Sequence, residues 1–108
     1  MKKSKRATLE SKGWRVGSTA DFLELSPEET ALVETRLALS RALRARRISH
    51  HLTQTELAKR LKSSQSRVAK MEAADRSVSV DLLLRALFTL GAEPKDIARA
   101  LQRATKAA

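Results

Sequence analysis

The run Leu52-Thr53-Gln54-Thr55-Glu56-Leu57-Ala58-Lys59-Arg60-Leu61, continued by Lys62-Ser63-Ser64-Gln65-Ser66-Arg67-Val68-Ala69-Lys70-Met71-Glu72, leaves few architectures open to this chain. It reads as two short amphipathic helices separated by a tight turn. Thr53 precedes the first helix with Glu56 three residues on, and Ser64 precedes the second, so each has an N-terminal cap. Two helices cross steeply only where a small residue lies at the crossing, and Ala58 is placed there. Leu57, Leu61, Val68 and Met71 then supply the apolar seam.

The flanks carry equally local signals. Residues 1–12 are charged and small and read as an arm bearing Lys2, Lys3, Lys5 and Arg6. In Gly13-Trp14-Arg15-Val16-Gly17, Trp14 is either a local core plug or a partner anchor. Ser18 caps a short helix from Thr19 to Leu25. In Ser26-Pro27-Glu28-Glu29 the serine caps, the proline takes the first helical position and Glu29 completes a capping box. That helix is expected to reach Arg47, with Leu32, Leu39 and Leu43 on one stripe and Val33 and Leu37 beside it. Further helices are expected over 54–61, 65–73, 80–90 and 94–106. Ser77 or Ser79 caps the third of these, Gly91 stops it, and Pro94 opens the last. Ile97, Leu101 and Ala104 form the stripe of that last helix, either as core or as a dimer seam. Five main helices and no credible strand predict an all-α domain. Residues 1–25 form an N-terminal extension, a candidate partner-binding segment, and residues 26–108 the domain proper.

Charge narrows the partner. Against 12 Asp plus Glu stand 22 Lys plus Arg, a net charge of +10, which favours an anionic ligand, nucleic acid first. There is no cysteine, hence no disulfide framework and no thiolate metal site, in keeping with a reducing cytoplasm. Met1-Lys2-Lys3-Ser4-Lys5-Arg6 resembles the start of a signal peptide, but Glu10, Ser11 and Lys12 interrupt any apolar region after it. The apolar stretch from Leu82 to Leu90 is broken by Arg85 and falls far short of a membrane span. His50 and His51 are sequence neighbours and do not share a helical face. No carboxylate or cysteine cluster accompanies them, so neither a metal site nor a catalytic role is expected. Without a nucleophile–base pair or a metal cluster, the chain is not expected to be an enzyme or to carry a cofactor.

The chemistry of the second helix completes the reading. Gln65, Ser66, Arg67 and Lys70 lie on its exposed face. Glutamine can bond an adenine edge, arginine can fork onto guanine, and serine can bond either. Free N–H groups at the starts of the two helices suit phosphate oxygens, with Gln54 beside one such start.

Leu52 to Glu72 with its flanks, roughly residues 39–92, resembles the Cro/CI-type (XRE) helix-turn-helix of phage repressors and bacterial regulators. The resemblance implies a five-helix, lambda repressor-like domain. It assigns base readout to Ser64, Gln65, Ser66, Arg67 and Lys70, and a structural ion pair to Arg47 and Glu72. Thr53, Gln54, Lys62 and Arg76 are the expected phosphate contacts. The family usually has glycine in the turn and again shortly after the glutamate, where this chain has Lys62 and Ala74; a non-glycine residue at positive φ costs about 1 kcal/mol.

A narrower likeness is carried by Gly13-Trp14, Asp21-Phe22-Leu23, the Ser26-Pro27-Glu28-Glu29 start, Ser64 to Glu72 and the run from Ser79 to Gly91. In these the chain resembles HigA-type antitoxins. That likeness implies a homodimeric repressor of a palindromic double-stranded DNA operator that also neutralises a RelE-like toxin. A stand-alone XRE regulator and a non-specific nucleic-acid-binding protein are the competing expectations.

Overall fold

Capping chemistry fixes where each helix begins. In the computed structural model, which describes residues 25–107, five helices follow one another: α1 (Pro27–Ser49), α2 (Gln54–Arg60), α3 (Gln65–Glu72), α4 (Val80–Thr89) and α5 (Pro94–Ala107). No strand occurs among the described residues. Before α1 the Ser26 N–H donates to Glu29 Oε1 at 2.9 Å while the Glu29 N–H donates to Ser26 Oγ at 3.1 Å. Thr53 and Glu56 make the same reciprocal pair before α2, at 2.8 and 3.0 Å. The hydroxyls of Ser64 and Ser79 each accept one N–H of the turn they open, from Arg67 and Leu82 at 3.1 Å. Each of these bonds satisfies a donor that the helix itself leaves unpaired. Ser79 is thus the cap of α4, and Ser77 instead gives its hydroxyl proton to Asp75 Oδ1 at 2.7 Å.

The first four helices also end alike. Each passes into one residue with positive φ: His51 (59°), Lys62 (55°), Ala74 (57°) and Gly91 (88°). In each case the next N–H reaches back five residues. Leu52 donates to the Arg47 carbonyl (3.1 Å), Ser63 to Ala58 (2.9 Å), Asp75 to Lys70 (3.0 Å) and Ala92 to Leu87 (3.0 Å). This closure favours glycine, because only glycine enters the left-handed region without a Cβ penalty. Three of the four positions carry a side chain there. The departures at Lys62 and Ala74 are therefore left-handed residues, and His51 is a third that its sequence context does not flag.

The chain divides into two compact units at Val33/Glu34. Within residues 34–108 the core is built from Leu39 and Leu43 of α1, Leu57 and Ala58 of α2, Val68 and Met71 of α3, and Leu83, Ala86 and Leu87 of α4. Val78, Leu90 and Ala92 close it from the connections. Ala58, 3% exposed, lets α2 come close to its neighbour. Ile97 and Leu101, both half-buried, pack against this same core. Arg36 reaches from α1 to the loop before α4, its Nε–H donating to the Val78 carbonyl at 3.1 Å.

Three expectations need correction or placement. Leu32 and Leu37, read as part of the apolar side of α1, are 49% and 37% exposed. Leu37 projects on the side of α1 opposite Leu39 and Leu43, since two residues along a helix turn about 200°. Helix α1 runs two residues past Arg47, and α2, α3 and α4 each stop one residue short of the expected end, the usual latitude of a fraying terminus. The basic arm, the Gly13–Gly17 segment with Trp14, and the helix expected from Thr19 lie outside the described residues.

The strain in the helix ends gives a test. Replacing Ala74 by glycine is expected to raise unfolding free energy by about 1 kcal/mol, because the gain at positive φ acts outside a helix interior. Urea denaturation of the two proteins measures it, and a lower midpoint for Ala74→Gly would contradict the assignment.

Candidate nucleic-acid interface

Helix α3 has two sides of opposite character. Val68 and Met71 are fully buried, while Gln65, Ser66, Arg67 and Lys70 are exposed. The spacing does this: 68 and 71 are one turn apart, and the exposed residues occupy the rest of the circumference. Ser64 spends its oxygen on the cap, leaving its hydroxyl proton free to donate.

What holds α3 in position is a connected set of polar contacts around Glu72, the last residue of that helix. Arg47 lays its guanidinium fork on this carboxylate, Nε–H to Oε2 at 2.5 Å and Nη2–H to Oε1 at 3.0 Å. Its third nitrogen, Nη1, donates to the Leu52 carbonyl at 2.7 Å, tying down the connection between α1 and α2. The side chains are 12% and 4% exposed, so both charges sit largely out of water. The hydrogen bond to Glu72 holds the Arg47 guanidinium above its ordinary pKa despite the opposing effect of burial.

The set extends to the two helix starts. Gln54 Nε2 donates to Glu72 Oε1 at 3.1 Å, and Gln65 Nε2 donates to Gln54 Oε1 at 2.7 Å. Gln54 thus joins the first turn of α2 to both ends of α3, and these bonds use one of its two Nε2 hydrogens. The bond between the two glutamines uses one Nε2 hydrogen of Gln65 and neither lone pair of its Oε1.

A polar cleft of about 320 Å³ brings together Ser64, Ser66, Arg67, Lys70, Ser77 and Val78. Four of the five expected readout residues therefore line one cavity, and Gln65 stands beside it at the helix start. Ser77 is a cleft residue that sequence reasoning treated only as a possible cap. Its signal was the Asp75-x-Ser77 spacing of an Asx-type turn. The Asp75 carboxylate accepts the Ser77 hydroxyl and N–H, and these bonds hold it below the usual carboxylate range. A second cleft brings Lys62 and Arg67 together with Arg60 and Arg85, two cations that the reading of the motif passed over. Thr53, Lys62 and Arg76 are exposed, at the start of α2, in the turn and in the loop after α3.

Removing the carboxylate isolates the contribution of the Glu72 contacts. Glu72→Ala leaves a largely buried guanidinium without its counter-charge and is expected to cost about 3 kcal/mol of stability. Urea unfolding followed by circular dichroism reads this directly, and an unchanged midpoint would contradict the structural role of the pair.

No described helix is long and apolar enough to cross a membrane. No curated protein and no solved structure matches the chain. A family model, described as helix-turn-helix, matches residues 43–97, half of the chain. The match runs from Leu43 in α1, through the paired helices and the cleft, into the first turn of α5. The chain belongs to the helix-turn-helix family of Cro/CI type, whose members are DNA-binding transcription regulators.

Proposed function

We propose that this chain is a sequence-specific repressor that binds a palindromic operator as a homodimer and, in its narrower role, is the antitoxin of a toxin–antitoxin pair. The observation that carries the DNA half is the two-sided α3, with Gln65, Ser66, Arg67 and Lys70 outward and the helix registered from behind through Glu72 and Gln54. Base edges are read by those side chains and Ser64. Thr53, Gln54, Lys62 and Arg76 hold the backbone, with Gln54 acting through whichever amide hydrogen its internal bonds leave free. Phosphate contacts set register and base contacts set preference. Two copies reading successive major grooves about 34 Å apart give the specificity that one short helix lacks.

The antitoxin half rests on the likeness to HigA-type antitoxins in the Gly13-Trp14, Asp21-Phe22-Leu23 and Ser79 to Gly91 patterns. In that reading residues 1–25 form a partner-binding extension with Trp14 as anchor, residues 26–108 are the DNA-binding domain, and the protein acts in the cytoplasm. Affinity capture from native cells after nuclease treatment tests it. A small stoichiometric RelE-like protein supports the antitoxin role, and its absence leaves a stand-alone regulator.

The readout role is tested at one residue. Arg67→Ala is expected to cost about 1–3 kcal/mol on the operator and to relax base preference, with a smaller loss on random duplex. Fluorescence anisotropy titrations at fixed salt measure both. Equal loss on the two duplexes would reduce Arg67 to a backbone contact.

A further inference from the structure

Helix α1 starts well before the family match, at Pro27 against residue 43, and its outer side carries features the DNA reading does not use. Leu37, Arg41, Arg44 and Ile48 are spaced four, three and four residues apart, so they line one face over about 16 Å. This face points away from Leu39 and Leu43, which enter the core. Leu37 and Ile48 are 37% and 50% exposed, and both arginines are exposed.

The other arginines of α1 are engaged: Arg36 with the Val78 carbonyl, Arg46 with Asp96 and Arg47 with Glu72. Among the described residues, Arg41 and Arg44 have no carboxylate partner, and Glu34, a turn before Leu37, pairs with neither. Among the described residues, the face therefore combines two cations that no carboxylate pairs with and an exposed aliphatic side chain at each end.

We propose that this face docks an amphipathic helix of a partner protein, one whose apolar stripe is flanked by carboxylates. Aliphatic anchors with arginine between them match the composition of a protein–protein hot region, in which buried side chains exclude water around charge-assisted bonds. Charge complementarity selects the occupant. A second copy meeting this face in two-fold fashion would bring four arginines together. Phosphate tracking leaves Leu37 and Ile48 without a role. A helix lying on a membrane needs a broader apolar face than two residues supply. The proposal is independent of operator recognition.

The probe is a synthetic leucine–glutamate amphipathic peptide of about 20 residues, long enough to be helical, with a leucine–lysine peptide of the same pattern as its opposite. Titrations use the full chain at about 0.15 M salt. The wild-type protein is expected to bind the acidic peptide and not the basic one. R41E/R44E is expected to weaken acidic-peptide binding at least about tenfold and to gain the basic peptide. K95E/R103E, the same charge change on exposed residues of α5, is expected to retain the acidic peptide. L37S/I48S, which leaves charge unchanged, is expected to weaken binding as well, and circular dichroism checks that each variant is folded. Operator affinity is expected to be equal in the two charge-reversed proteins, so failure of this proposal and failure of DNA recognition are told apart. Equal peptide binding by R41E/R44E and K95E/R103E would overturn the proposal. So would a selective effect of R41E/R44E on operator binding, on phosphatidylserine vesicle binding or on oligomeric state. Those results would assign the face to nucleic acid, to membrane or to a second copy.

Discussion

One carboxylate organises the helix-turn-helix of this protein. Glu72 accepts both arms of the Arg47 fork and the Gln54 amide, while Arg47 also takes the Leu52 carbonyl. The end of α3, the connection into α2 and the body of α1 thus meet at a single charge. Desolvating an ion pair is costly, and apolar side chains of similar volume often give equal stability. What apolar packing does not supply is direction. The fork geometry of a guanidinium fixes angle as well as distance, and the Gln54–Gln65 bond carries that fixed geometry to the first turn of α3.

The turns around this centre hold strain. Left-handed residues end α1, α2 and α3, and none of the three is glycine. Each closes its helix by the same five-residue reach of the following N–H, so hydrogen bonding compensates for the Cβ crowding. At Lys62 the side chain that costs stability also supplies a cation to the cleft shared with Arg60, Arg67 and Arg85. Ala74 offers no such return: nothing in the structure explains its preference over glycine.

Much of this was legible in the sequence because the governing interactions are local. Ser26 with Glu29 and Thr53 with Glu56 lie three residues apart, and such pairs declare a helix start without tertiary information. Val68 and Met71 declare the buried side of α3 in the same way. The pairing of Arg47 with Glu72 came from family likeness, since nothing local links residues 25 apart. Illegible features required distant groups to meet. Gln54 looked like a free amide until Gln65 and Glu72 approached it. Ser77 looked like a cap until the loop after α3 folded beside Ser66 and Lys70. Leu37 resembles a core residue in side-chain type alone, since two residues along the helix turn it about 200° away from Leu39.

Selection from a pool of random duplexes by the purified protein tests whether side chains at the start of α3 read base edges. Readout by two copies predicts enrichment of an inverted repeat whose half-sites are centred about one helical turn apart, roughly 10 base pairs. A flat pool, with retention that falls steeply with salt regardless of sequence, would show that the protein holds phosphates and reads nothing.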